Sequence, residues 1–91
     1  MKPSELEMSV LMGWRWTGDD CNVLSFWKVH QESEVAIHKV RRAVRALARK
    51  GYLEYARMSW NDEGEFTGAG YKPTISGYTL IHAELARIDA S

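Results

Sequence analysis

The chain has 91 residues, 45% hydrophobic and 26% charged, and its twelve Lys and Arg balance twelve Asp and Glu. Domains usually run ~100–150 residues, so one domain spanning 1–91 is expected, and the composition excludes collagen, coiled coil and wholesale disorder. No apolar run approaches the ~18 residues of a membrane span, Met1-Lys2-Pro3-Ser4-Glu5 lacks the apolar stretch and cleavage site expected of a signal peptide, and the single Cys21 cannot pair internally. A cytoplasmic protein is the expectation.

The first helix is predicted to start at Ser4. Ser4-Glu5-Leu6-Glu7 matches a capping box, in which the Ser4 hydroxyl accepts from the Glu7 amide and the Glu7 carboxylate reaches back. Leu6, Val10, Leu11 and Trp14 follow at helical spacing as a core stripe. Thr17-Gly18-Asp19-Asp20 then reads as a stop and a loop. Asn22-Val23-Leu24 is short enough for a brief strand. Ser25 suits the N-cap of a second helix from Phe26 to about Gln31, with Val29 and either Phe26 or Trp27 inward. Glu32-Ser33-Glu34 reads as a tight turn.

The third helix has the clearest pattern, from about Ala36 to Lys50. Ile37, Val40, Val44 and Leu47 make an apolar stripe, and His38, Arg41, Arg42, Arg45 and Arg49 fall on the opposite face. Gly51 suits the residue after the helix, and Arg49 and Lys50 suit the negative end of its dipole. Tyr52 to Trp60 is rich in aromatics, as strands are. Phe66 to Lys72 is a loose return strand with Gly68 and Gly70, so the two predict a hairpin around Asn61–Glu65. Pro73 ends it. Thr74 can cap a last helix whose stripe is Tyr78, Ile81, Leu85 and Ile88.

This order resembles the winged helix-turn-helix family across nearly the whole chain. The run Val40-Arg41-Arg42-Ala43-Val44-Arg45-Ala46-Leu47, continuing to Gly51-Tyr52-Leu53, is similar to the recognition-helix exit of MarR-like and PadR-like bacterial regulators. Tyr71-Lys72-Pro73-Thr74-Ile75-Ser76-Gly77 resembles the family's return from wing to capped helix, with Pro73 where Leu is usual. Ser25-Phe26-Trp27-Lys28-Val29-His30 stands where the family opens its second helix, with Trp27 and His30 in place of small residues. The resemblance implies an α+β fold, a single winged helix-turn-helix domain of about four helices with a two-stranded wing. It also implies that the third helix enters the DNA major groove.

Residues 36–50 hold six of the twelve cations (Lys39, Arg41, Arg42, Arg45, Arg49, Lys50) and no acid. A solvated outer face would normally intersperse Glu for i,i+4 pairs, so this helix reads as a nucleic-acid face. Arg41, Arg42 and Arg45 are the candidates for base or phosphate contacts, with His38 and Lys39 leading. Arg49 and Lys50 suit phosphates, and Ser25 and Lys28 the flanking backbone. Double-stranded DNA bound by a small bacterial or phage transcriptional regulator is one reading.

The other reading is a protein-interaction module, such as a phage-encoded inhibitor or complex subunit. The neutral total and the acidic hairpin tip, Asp62, Glu63 and Glu65, favour it, since an acidic tip is repelled by DNA and suits a basic protein partner. Four tryptophans are many for this length. Trp14 and one of Trp16 or Trp27 are expected in the core, and Trp60 is a candidate interface anchor. Ile75, Leu80, Ala83 and Ala86 give the last helix a second apolar patch, expected to form a homodimer interface.

No catalytic role is expected. Cys21, His30, His38 and His82 lack zinc-site spacing, no nucleophile motif occurs, and the glycines form no phosphate loop. No cofactor is expected.

Overall fold

The computed structural model describes residues 2–17, 22–60 and 66–90, and the side chains of these apart from 58–60 and 66–68. In chain order, α1 is Glu5–Leu11, continued by a 3-10 turn Met12–Trp14; α2 is Phe26–Ser33; α3 is Ile37–Arg49; β1 is Leu53–Trp60; β2 is Phe66–Pro73; and α4 is Ile75–Ala90. These four helices and the antiparallel pair make the expected α+β winged helix.

The helix ends follow the sequence closely. At α1 the capping box forms in both directions: the Glu7 amide donates to Ser4 Oγ and the Ser4 amide donates to Glu7 Oε1, each at 3.1 Å. Ser25 caps α2 by accepting from the Lys28 amide at 3.2 Å. Thr74 caps α4 by accepting from the Gly77 amide at 3.1 Å. The Thr74 hydroxyl also donates to the Gly51 carbonyl at 2.6 Å, which ties the end of α3 to the start of α4. Gly51 has φ 87°, the left-handed value that ends a helix without a Cβ penalty.

The core forms where α1 and α2 pack on α3. Val10, Leu11, Trp14, Val29, Val40, Val44, Leu47 and Ile81 are fully buried, joined by Leu24, Ala43 and Leu53. The Trp14 indole N–H donates to the Asn22 carbonyl at 3.0 Å and the Tyr71 carbonyl at 3.2 Å, so a buried ring also pins a loop to the wing.

The wing pairs Leu53 with Pro73, Glu54 with Lys72, Tyr55 with Tyr71 and Ala56 with Gly70, then shifts register before Ser59. The brief strand expected at 22–24 is a single bridge. The Leu24 amide donates to the Tyr71 carbonyl at 2.9 Å, and the Tyr71 amide to the Leu24 carbonyl at 3.0 Å. This crossing explains Gly70, where a Cβ would collide with the Leu24 carbonyl oxygen.

Several expectations are corrected. Leu6 is 40% exposed, because α1 turns its first apolar position outward before Val10 and Leu11 reach the core. Trp16 and Trp27 are 76% and 60% exposed, so Trp14 alone of these three fills the core. On α2 the expected pairing of Val29 with either Phe26 or Trp27 is met by Phe26. No tight turn spans 32–34: α2 runs through Ser33, and only Glu34 leaves the helix, in the left-handed conformation, with its amide on the His30 carbonyl at 2.9 Å. Ile37 is only half-buried at the edge of the α3 stripe. Ile88 is half-exposed, beyond the reach of the core.

Lys50 is also placed differently from expectation. Its Nζ lies 2.6 Å from Glu7 Oε1, and both side chains are largely covered. This hydrogen bond holds the Glu7 carboxyl below its ordinary value, against the opposing effect of burial. The folded state therefore prefers the ionised carboxylate. Its stabilisation is present above the unfolded value near 4.5 and is lost as pH falls through the lower folded value. Glu7→Gln keeps a competent capping-box residue but removes the charge. The expected result is a loss of ~0.2–1 kcal/mol near neutral pH and a flatter stability profile below pH ~5, read by urea denaturation at several pH values. An unchanged acid limb would refute the pairing.

Candidate nucleic-acid interface

The α3 stripe of Val40, Ala43, Val44 and Leu47 is buried, which forces the intervening residues outward. His38, Arg41, Arg42, Arg45 and Arg49 share one open surface with Ile37 along the helix. Lys39 is exposed on the flank of that face. The four ion pairs among the described residues are Lys28–Glu32, Lys50–Glu7, Lys72–Glu54 and Arg87–Glu84. None uses a cation of this face. Four guanidinium groups thus share one surface without a described ion pair, a concentrated positive field on a neutral chain.

The Arg41 guanidinium lies 5.9 Å from the centre of the Phe26 ring, within cation–π range. Lys28 Nζ pairs with Glu32 at 3.6 Å on the same helix, where both side chains remain partly exposed. The Ser25 hydroxyl oxygen is engaged in capping α2. Both residues lie at the start of α2, beside Phe26. Lys50 donates to Glu7 on α1, and the charge of Arg49, at the end of the arginine face, also acts on that carboxylate.

An aromatic cleft adjoins that face. Phe26, Tyr55 and Tyr71 line it together with Arg45, Ala69 and Gly70. Phe26 and Tyr71 stack at 5.9 Å, and Tyr55 meets Tyr71 edge-on at 5.6 Å. This cluster is not among the residues the sequence singles out. Its one local signal was the aromatic-rich strand, and its assembly depends on the pairing of Tyr55 with Tyr71 and on the Leu24 crossing that brings α2 alongside.

The acidic tip residues Asp62, Glu63 and Glu65 lie outside the described residues, as do Cys21 and the Trp60 side chain. On α4, Ala83 and Ala86 are exposed, whereas Leu80 packs partly against the core. Ile75 is exposed at the helix start. No group of three His, Cys, Asp or Glu able to hold a metal occurs among the described residues. No described helix is long and apolar enough to cross a membrane.

No family model matches the chain, and no curated protein matches it in sequence. Solved structures do match its fold. The Bordetella bronchiseptica regulator BpsR, whose DNA binding is regulated by 6-hydroxynicotinic acid, superposes with TM-score 0.71 at 17% identity, over 98% of this chain and 61% of BpsR. The zinc-responsive MarR family member ZitR of Lactococcus lactis superposes with TM-score 0.72 at 11% identity, over 99% of this chain and 56% of ZitR. The fold is that of a MarR-like winged helix.

Within that winged helix, α2 and α3 form the helix-turn-helix and β1–β2 the wing. The chain spans only about three fifths of these two regulators' lengths. A Ralstonia eutropha chain of nearly the same extent also superposes, with TM-score 0.64 at 17% identity, over 92% of this chain and 98% of that one.

Proposed function

We propose that this protein binds double-stranded DNA as a transcriptional regulator, with α3 seated in the major groove. The observation that carries the reading is the α3 face, where His38, Arg41, Arg42, Arg45 and Arg49 project together and no described ion pair neutralises them. A major groove accepts one α-helix, and guanidinium groups reach both phosphates and the guanine edge. Arg41, Arg42 and Arg45 are the central contacts, with His38 and Lys39 at the leading end and Arg49 on phosphate. Ser25 and Lys28 approach the flanking backbone from the start of α2. Lys50 drops out of the contact set, because its ammonium is committed to Glu7. The fold of BpsR and ZitR supports a regulator of this type.

Fluorescence anisotropy with a labelled duplex of mixed sequence at two salt concentrations tests the reading. Neutralising Z phosphates gives a slope of log affinity on log salt near −0.9Z, so several arginine contacts predict a steep decline. A second reading, a protein-interaction module, draws support from Trp16 and Trp27, two large rings left in solvent. No affinity for duplex at low salt would transfer the assignment to it.

Self-association is also proposed. The outer side of α4, carrying Ala83 and Ala86, offers a smooth apolar strip for a second copy, and the exposed Ile75 lies on the same side. Leu80 contributes only its uncovered edge. Light scattering at high micromolar concentration is expected to give twice the chain mass, and a monomer there would rule the interface out.

A further inference from the structure

We propose that the cleft formed by Phe26, Tyr55 and Tyr71 beneath Arg45 seats a single unpaired nucleobase at the edge of the α3 face. This rests on the DNA-binding reading and adds to it a site for locally opened or extrahelical DNA.

The cleft has the chemistry that takes a base out of water. Two rings are held in fixed relation by the wing: Tyr55 and Tyr71 are register partners, and the Tyr71 backbone bonds to Leu24 through both its amide and its carbonyl. Phe26 closes one wall by stacking on Tyr71. Ala69 and Gly70 leave the floor free of bulk, and the half-open cleft of about 240 Å³ has room for one base ring. Tyr55 is 60% exposed, so its ring contributes little to the core and presents a face to solvent. An exposed, immobilised aromatic face is the platform on which bases stack irrespective of sequence.

The charge beside it fits the same ligand. Arg45 lines both the cleft and the arginine surface of α3, so it is common to the two. Arg41 lies 5.9 Å from the centre of the Phe26 ring that walls the cleft. A strand whose phosphates track Arg41, Arg42 and Arg45 is thereby led past the aromatic rings. A base displaced from its stack at that point meets a ring face on one side and a guanidinium on the other.

Three labelled probes test this by anisotropy at low salt: a fully paired duplex of mixed sequence, the same duplex with one extrahelical thymidine, and oligothymidylate. The proposal expects the duplex with the extrahelical base to bind about tenfold more tightly than the paired one, in keeping with the worth of one base–aromatic stack. Tyr55→Ala should abolish that preference and weaken oligothymidylate, while paired-duplex affinity stays unchanged. Tyr55→Phe should retain the preference, which shows that the ring and not the fold is being read. Equal affinity of the wild type for the two duplexes overturns the proposal, as does a Tyr55→Ala loss shared equally by both. The regulator reading fails separately, through absence of paired-duplex binding. In that case ring-dependent binding of oligothymidylate still supports the cleft, and its absence removes it.

Discussion

Replacing Arg42 and Arg45 with alanine should leave the fold intact and remove most of the affinity for duplex DNA. Both side chains are exposed on the face opposite Val40, Val44 and Leu47, and neither belongs to the core. Exposed substitutions away from caps and buried networks usually change stability by under ~0.5 kcal/mol, so the melting temperature should hardly move. Alanine also has the highest helix propensity, so α3 itself should persist. Binding responds differently. A lost base contact costs ~1–3 kcal/mol, and each lost phosphate contact lowers the salt slope by about one. The double variant should therefore bind at least tenfold more weakly at low salt, with a visibly shallower salt dependence. Arg42→Ala alone separates the two proposed sites, because Arg42 lines the helix face and not the aromatic cleft. Unchanged duplex affinity of the double variant would sink the regulator reading in favour of the interaction module.

Local chemistry was legible in the sequence. The capping box at Ser4 and Glu7, the N-caps at Ser25 and Thr74, and the left-handed Gly51 are each decided by three or four neighbouring residues. The amphipathic division of α3 was legible for the same reason, since a helix repeat spans only a turn or two. What was hidden depends on residues distant in the chain. Lys50 reads as a helix-end cation suited to phosphate until α1 packs on α3 and brings Glu7, 43 residues away, to its ammonium. Composition suggests that two of Trp14, Trp16 and Trp27 are buried, but a core of this size closes around Trp14 alone. The aromatic cleft needed the strand register and the Leu24 crossing, neither of which leaves a local signature.

Trp14→Ala should cost more stability than any substitution on the DNA face. Trp14 is fully buried and is the largest side chain of the core. Truncating such a ring usually costs ~3–5 kcal/mol through lost transfer energy and the cavity left behind. The indole also donates to the Asn22 and Tyr71 carbonyls, so its loss removes one tie between the 22–24 segment and the wing and leaves the Leu24–Tyr71 bridge to hold it. Domains of this size are typically stable by only ~5–15 kcal/mol, so the variant should retain a minor part of its cooperative unfolding transition or lose it outright. Trp14→Phe divides the effect. It keeps most of the apolar volume but leaves the Asn22 carbonyl without its indole donor, whereas the Tyr71 carbonyl still accepts from the Leu24 amide. A cost of ~1–3 kcal/mol is expected for that variant, intermediate between wild type and alanine. Urea denaturation followed by far-ultraviolet circular dichroism measures both. A midpoint for Trp14→Ala within error of the wild type would show that the ring does not hold the core together.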